Sequence, residues 1–136
     1  MITRLKSMGI YVKDQNEALE FYTQKVGFEL NSDVTQGGYR WLAVSPKGQP
    51  ELQFSLSALK PGGNLTEEGV EMLTNLLDTG QLQGGIWETD DCRKTYEEMA
   101  GNGVEFMQEP VDMPWGVQAL WKDNSGNWFT LIEPKY

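Results

Sequence analysis

The chain has 136 residues, 39% hydrophobic and 23% charged, a balance that suits one soluble domain with room for a hydrophobic core. Twenty acidic against eleven basic residues give a net charge of −9, which repels phosphate backbones and anionic bilayers and argues against nucleic acid or a membrane surface as partner. The same charge draws cationic small molecules in.

With no histidine and a single cysteine, Cys92, the chain lacks an internal disulfide, the commonest general base and any His-activated thiol nucleophile. Catalysis would fall to carboxylates, Tyr, Lys or Arg. No run approaches the roughly 18 apolar residues of a membrane span. Met1-Ile2-Thr3-Arg4-Leu5-Lys6 lacks the apolar region of a signal peptide, so a cytoplasmic location is expected.

In chain order, Leu5 to Lys13 reads as a strand. Asp14, with Glu17 three residues on, has the spacing of a helix start. Ala18, Leu19, Phe21, Tyr22 and Val26 form the apolar stripe of that helix, and Gly27 stops it. Phe28 to Asp33, Tyr39 to Ser45 and Glu51 to Ser57 read as strands parted by turns at Gly37-Gly38 and Pro46-Lys47-Gly48. In the last of them Leu52, Phe54 and Leu56 alternate with Glu51, Gln53 and Ser55, one apolar face and one polar. Arg40 and Trp41 face opposite ways, and alternation alone leaves open which of them points inward.

A connector over 61–82 follows, with a short helix capped by Thr66, lined by Val70, Leu73 and Leu77 and stopped by Gly80. The pattern then restarts: a strand over 83–89, a cap at Asp90-Asp91, and a helix with Tyr96, Met99 and Ala100 inward, ending near Gly103. Strands at 104–108 and 117–122, separated by a Pro110 to Trp115 loop, lead to the turn Asp123-Asn124-Ser125-Gly126 and a final strand. Gly27-Phe28-Glu29-Leu30 is answered by Gly103-Val104-Glu105-Phe106, so the chain is a duplication with a period of about 76 residues. Module one covers about 1–60 and module two about 83–136.

Five motifs in order resemble one family: Tyr11-Val12-Lys13-Asp14, then Ala18-Leu19-Glu20-Phe21-Tyr22, Gly27-Phe28-Glu29, Pro114-Trp115-Gly116 and the Asp123 turn. Together they resemble the glyoxalase/bleomycin-resistance/extradiol-dioxygenase superfamily, the vicinal oxygen chelate proteins, with Asn124 where those proteins usually carry proline. The resemblance implies an α+β fold over 1–136: two tandem β-α-β-β-β modules forming a cup-shaped mixed sheet with helices outside, assembled as a homodimer. It also implies where metal ligands would stand, at Ser7, Glu51, Gly84 and Thr130. Only Glu51 is an ordinary ligand, so no metal and no other cofactor is expected, although Glu88 could join Glu51 in a two-carboxylate site for a divalent ion.

Bleomycin-resistance members of that superfamily lack the metal ligands and bind a cationic antibiotic. Five tryptophans beside carboxylates suit a flat, positively charged or aromatic ligand. The leading expectation is thus a metal-free small-molecule binding protein with Glu51, Gln53, Glu88, Trp128 and Thr130 lining a cup edged by Trp115, while Trp87 and Trp121 belong to the core. One alternative is a lyase, isomerase or dioxygenase-like enzyme using a degenerate metal site or Glu51 as base. Another is an interaction module with no ligand.

Overall fold

A computed structural model describes residues 1–136. The chain divides into two compact units, Met1–Val70 and Glu71–Tyr136. In the first, β1 (Ser7–Val12), β2 (Glu29–Gln36), β3 (Tyr39–Ser45) and β4 (Gln53–Ala58) form a sheet in the order β1-β4-β3-β2. β1 runs parallel to β4 and the other pairs are antiparallel, so the sheet is mixed. Its helix α1 (Gln15–Glu20) continues as a π-helical stretch, Phe21–Val26.

The second unit repeats this plan with β5 (Gln83–Glu88), α3 (Cys92–Gly101), β6 (Glu105–Met113), β7 (Gly116–Lys122) and β8 (Trp128–Pro134), in sheet order β5-β8-β7-β6. Helix α2 (Glu67–Asp78) spans the boundary between the units. No helix is long and apolar enough to cross a membrane.

The helix boundaries follow local chemistry. The carboxylate of Asp14 accepts the Glu17 N–H at 2.9 Å, that of Asp91 accepts the Lys94 N–H at 3.0 Å, and Thr66 Oγ1 accepts the Gly69 N–H at 3.0 Å. At the far ends Gly80 and Gly103 close their helices in the same way: the glycine N–H bonds back three residues and the next N–H bonds back five.

The first helix closes one residue wider, with Phe28 N–H on Tyr22 O, because its last turn is π. The cap of α3 is Asp91, not Asp90, so α1 with its π stretch carries one residue more than α3 between cap and glycine. A π turn is how a helix absorbs one extra residue without rotating its apolar face off the sheet.

In the first unit Ala18, Phe21 and Tyr22 bury themselves against Val12, Leu42, Val44, Phe54 and Leu56. Tyr22 is the hub, its ring 5.3 Å from Phe21 and 5.9 Å from Phe54. In the second, Cys92 and Met99 of α3 pack with Trp121, Phe129 and Leu131, and the Trp121 and Phe129 rings stack at 4.6 Å. Trp121 is thus core, and Trp87 lies 6.2 Å from the same Phe129 ring.

Ala100 departs from expectation and is exposed, because Cys92, Tyr96 and Met99 already fill the stripe facing the sheet and Ala100 sits a further 100° or so around the helix. The Asp123 turn is built as a cage: one carboxylate oxygen of Asp123 accepts the N–H groups of Ser125, Gly126 and Asn127, each at 2.9 Å. The other accepts the Asn127 side-chain amide at 3.1 Å.

Candidate functional site

Each sheet has one face under its helix and one face free of it, and strand register assigns residues to them. Val44 pairs with Phe54 and Ala43 with Ser55, which puts Leu42, Val44 and Arg40 on the helix face and Tyr39, Trp41, Ala43 and Ser45 on the open one. Arg40 accordingly reaches Asn16 of α1 at 2.7 Å and pairs bidentately with Asp33 at 2.9 Å. The hydrogen bonds to Arg40 hold the Asp33 carboxyl below its ordinary range and raise the guanidinium further.

The open face of the first sheet carries Ser7, Gly9, Ser55 and Ser57 at its β1–β4 pair. Ser7, Gly9 and Tyr11 of β1 lie opposite Gln53, Ser55 and Ser57 of β4. At Gly9 the two strands come so close that an added Cβ would stand 2.4 Å from the Ser55 carbonyl oxygen, so only glycine fits. Gln53 faces this surface and bonds Asn31, whose amide bonds Ser45.

Glu51 does not. The strand begins at Gln53, and Glu51 stands exposed in the preceding turn, lining a shallow cleft of about 220 Å³ with Arg4, Lys6 and Gln49.

On the second sheet, Glu88 pairs with Ile132 and Thr130 with both Ile86 and Leu120, so Trp128, Thr130, Ile132, Glu88 and Gln118 share the open face. Trp128 and Thr130 thus share one sheet face, and Glu88 projects exposed beside Ile132. Gly84 does not join them. The register slips between Gln83 and Gly85, and an added Cβ on Gly84 would meet the Phe129 ring at 2.3 Å, on the core side. A bulge residue reverses strand alternation, which counting back from the helix cap does not reveal.

Trp115 stands in the turn between β6 and β7, 46% exposed. Its indole N–H donates to Gln118 Oε1 at 3.0 Å, Gln118 donates in turn to Gln108 at 3.3 Å, and the Trp115 carbonyl accepts the Lys135 N–H at 3.0 Å. The ring is held in one orientation with part of its surface free. On the same open face Ile86 is 65% exposed and Val111 38%. Counting along β8 at about 3.4 Å per residue, the strip from Trp128 through Thr130 to Ile132 is about 14 Å long.

The positions that the resemblance assigns to a metal do not fit one. Ser7 is a hydroxyl, Glu51 lies off the strand among cations, Gly84 faces the Phe129 ring, and Thr130, 8% exposed, sits between Ile86 and Leu120. No group of three or more His, Cys, Asp or Glu side chains is arranged to hold an ion. Adding zinc, nickel, manganese or iron(II) is expected to leave the melting temperature unchanged. A rise that saturates at one ion per chain would show a site these positions do not provide.

Cys92 is buried under α3 with its Sγ 3.9 Å from Leu131 O. Burial, with Glu133 nearby, pushes its thiol above the ordinary value and away from nucleophilic use.

Residues 4–131 match the model of the Glyoxalase/Bleomycin resistance protein/Dioxygenase superfamily. The chain is 35% identical over 135 residues to the uncharacterized protein YetH of Bacillus subtilis (strain 168), covering 98% of this chain and 100% of YetH. Among solved structures it is similar to UcmS2, at 41% identity and a TM-score of 0.91 with 98% and 99% of the two chains covered. It is also similar to TnmS3, described as an antibiotic binding protein from Streptomyces sp. CB03234, at 30% identity and a TM-score of 0.77 with 98% of each chain covered.

Proposed function

The chain belongs to the glyoxalase/bleomycin resistance/dioxygenase superfamily, and from that premise we propose that it is a metal-independent protein that binds and sequesters a flat aromatic small molecule. The observation that carries this reading is the fixed, half-exposed Trp115 indole on a sheet face that continues through Ile132 and Thr130 to Trp128. A pre-oriented indole loses little conformational freedom when a ring stacks on it, and aliphatic neighbours supply dry contact without competing hydrogen bonds.

Thr130 offers a hydroxyl for the polar edge of such a ligand. Glu88, exposed on the same face as Trp128, suits a basic substituent. Glu51 has no role in this reading. The likeness to an antibiotic binding protein supports sequestration over turnover, as does the lack of a metal-ligand set at the family's positions.

The test is a fluorescence titration against planar aromatic compounds of neutral, cationic and anionic type. Trp115→Ala is expected to weaken binding by more than about tenfold while leaving the melting temperature in place, because the ring stands half-exposed in a turn, outside the buried core. Affinity unchanged in Trp115→Ala would remove the indole from the site. A panel in which no compound raises the melting temperature would remove the reading itself.

A further inference from the structure

A second feature, within the first unit, is unused by that reading. A cavity of about 310 Å³ opens at the C-terminal ends of β1 and β4, a volume at the lower bound for small-molecule pockets. Tyr11 and Ser57 face each other across the strand pair at its base; Tyr39, Arg40 and Lys60 line it together with the uncharged Gln15, Pro61 and Leu65. The Gly62-Gly63 turn closes it with backbone alone. That turn is fixed by reciprocal Gly62 and Leu65 hydrogen bonds of 2.9 Å, and Lys60 is set in place by Leu59 N–H on Val12 O and its own N–H on Ala58 O, both 3.0 Å.

The charge of this cavity opposes that of the chain. Twenty acids outnumber eleven bases overall, yet the walls hold two cations and no carboxylate. Arg40 is largely neutralised by Asp33, which with Asn16 occupies three of its five N–H donors and leaves two. Lys60 is exposed and has no carboxylate within ion-pair distance, so it carries the net positive charge. Tyr11 and Tyr39 line the same cavity, each bringing a flat apolar ring with a hydroxyl at its tip.

We infer that this cavity takes the carboxylate-bearing end of a planar aromatic compound, with Lys60 as its charge partner and Tyr11 and Tyr39 as its ring walls. The inference rests on the aromatic-binding reading above for the ligand class and specifies its charge. It reverses, for this part of the molecule, the expectation that net acidity selects cations, because a local counter-charge outweighs distant like charges once salt screens beyond about 10 Å.

The experiment compares naphthalene-2-carboxylate, 2-naphthamide and 2-naphthylmethylammonium by calorimetry, with backbone amide shifts at Gly62 and Gly63 as the local readout. The carboxylate is expected to bind about tenfold tighter than the amide and the ammonium weakest, with the preference shrinking in high salt. Lys60→Gln should bring carboxylate and amide together, and Lys60→Glu should invert the order; both should fold normally since the side chain is exposed.

Equal affinity for the three probes, carboxylate preference surviving Lys60→Glu, or shifts that spare Gly62 and Gly63 would each overturn the inference. So would inorganic phosphate displacing the carboxylate at equal concentration, since a bare anion site needs no rings. Trp115→Ala separates the two ideas. Carboxylate preference intact in Trp115→Ala but lost in Lys60→Glu supports the cavity whatever becomes of the indole face. Naphthoate binding lost in Trp115→Ala but untouched by Lys60→Glu leaves the indole reading standing and sinks this one.

Discussion

Replacing Asp123 by alanine is expected to cost about 4 kcal/mol of folding stability, a large share of what a domain of this size has to lose. Its carboxylate is the acceptor for three consecutive backbone N–H groups and for the Asn127 amide, and Asp123, Ser125 and Asn127 are all buried. Alanine removes the side-chain acceptor of the Ser125 and Asn127 N–H groups and of the Asn127 amide, while the Gly126 N–H keeps its 3.2 Å bond to the residue 123 carbonyl, and each buried donor left without an acceptor costs about 1–3 kcal/mol.

The loss would propagate. The turn sets the start of β8, and at Gly126 an added Cβ would stand 2.2 Å from the Leu77 carbonyl oxygen, so the turn backbone lies directly on the end of α2. Asp123→Asn keeps one acceptor and should cost about half as much. Urea unfolding of the three proteins decides it, and Asp123→Ala within 1 kcal/mol of the parent would show that the cage is not what holds the turn.

Gly9→Ala is expected to cost about 3 kcal/mol and to disturb the open face of the first sheet. The new methyl would meet the Ser55 carbonyl oxygen at 2.4 Å and its hydroxyl at 1.8 Å. The hydroxyl can rotate away, but the carbonyl belongs to β4, the interior strand that β1 pairs with in parallel, so β1 itself must move. Since β1 also carries Ile10 and Val12 into the core, the shift is felt on both faces. Thermal unfolding gives the cost, and amide shifts at Tyr11 and Ser57 report whether the cavity between them is disturbed too. A melting temperature equal to the parent's would show that the strands separate without penalty.

Much of the architecture was written locally. Asp14, Thr66 and Asp91 cap helices and Gly27, Gly80 and Gly103 end them because a cap or a left-handed stop involves only the few residues around it. The double Asp90-Asp91 concealed one detail. A period of 76 residues maps Asp14 onto Asp90, whereas the true cap, Asp91, exposes the extra residue that the first helix takes up in its π turn.

The functional faces were less legible, since facing depends on register. Arg40 and Trp41 were assigned only when Val44 met Phe54. Glu51 left the polar face because the strand starts two residues later. Gly84 turned toward Phe129 because a bulge intervenes.

By itself, the sequence determined the two β-α-β-β-β modules, their helix ends, the Asp123 turn and the positions where metal ligands are lacking, all properties of residue type and short-range spacing. The tertiary structure alone decided which side chains share a surface. It brought Tyr11, Tyr39 and Lys60 around one cavity, because strand pairing joins residues far apart in sequence and a one-residue slip sends a side chain to the opposite face.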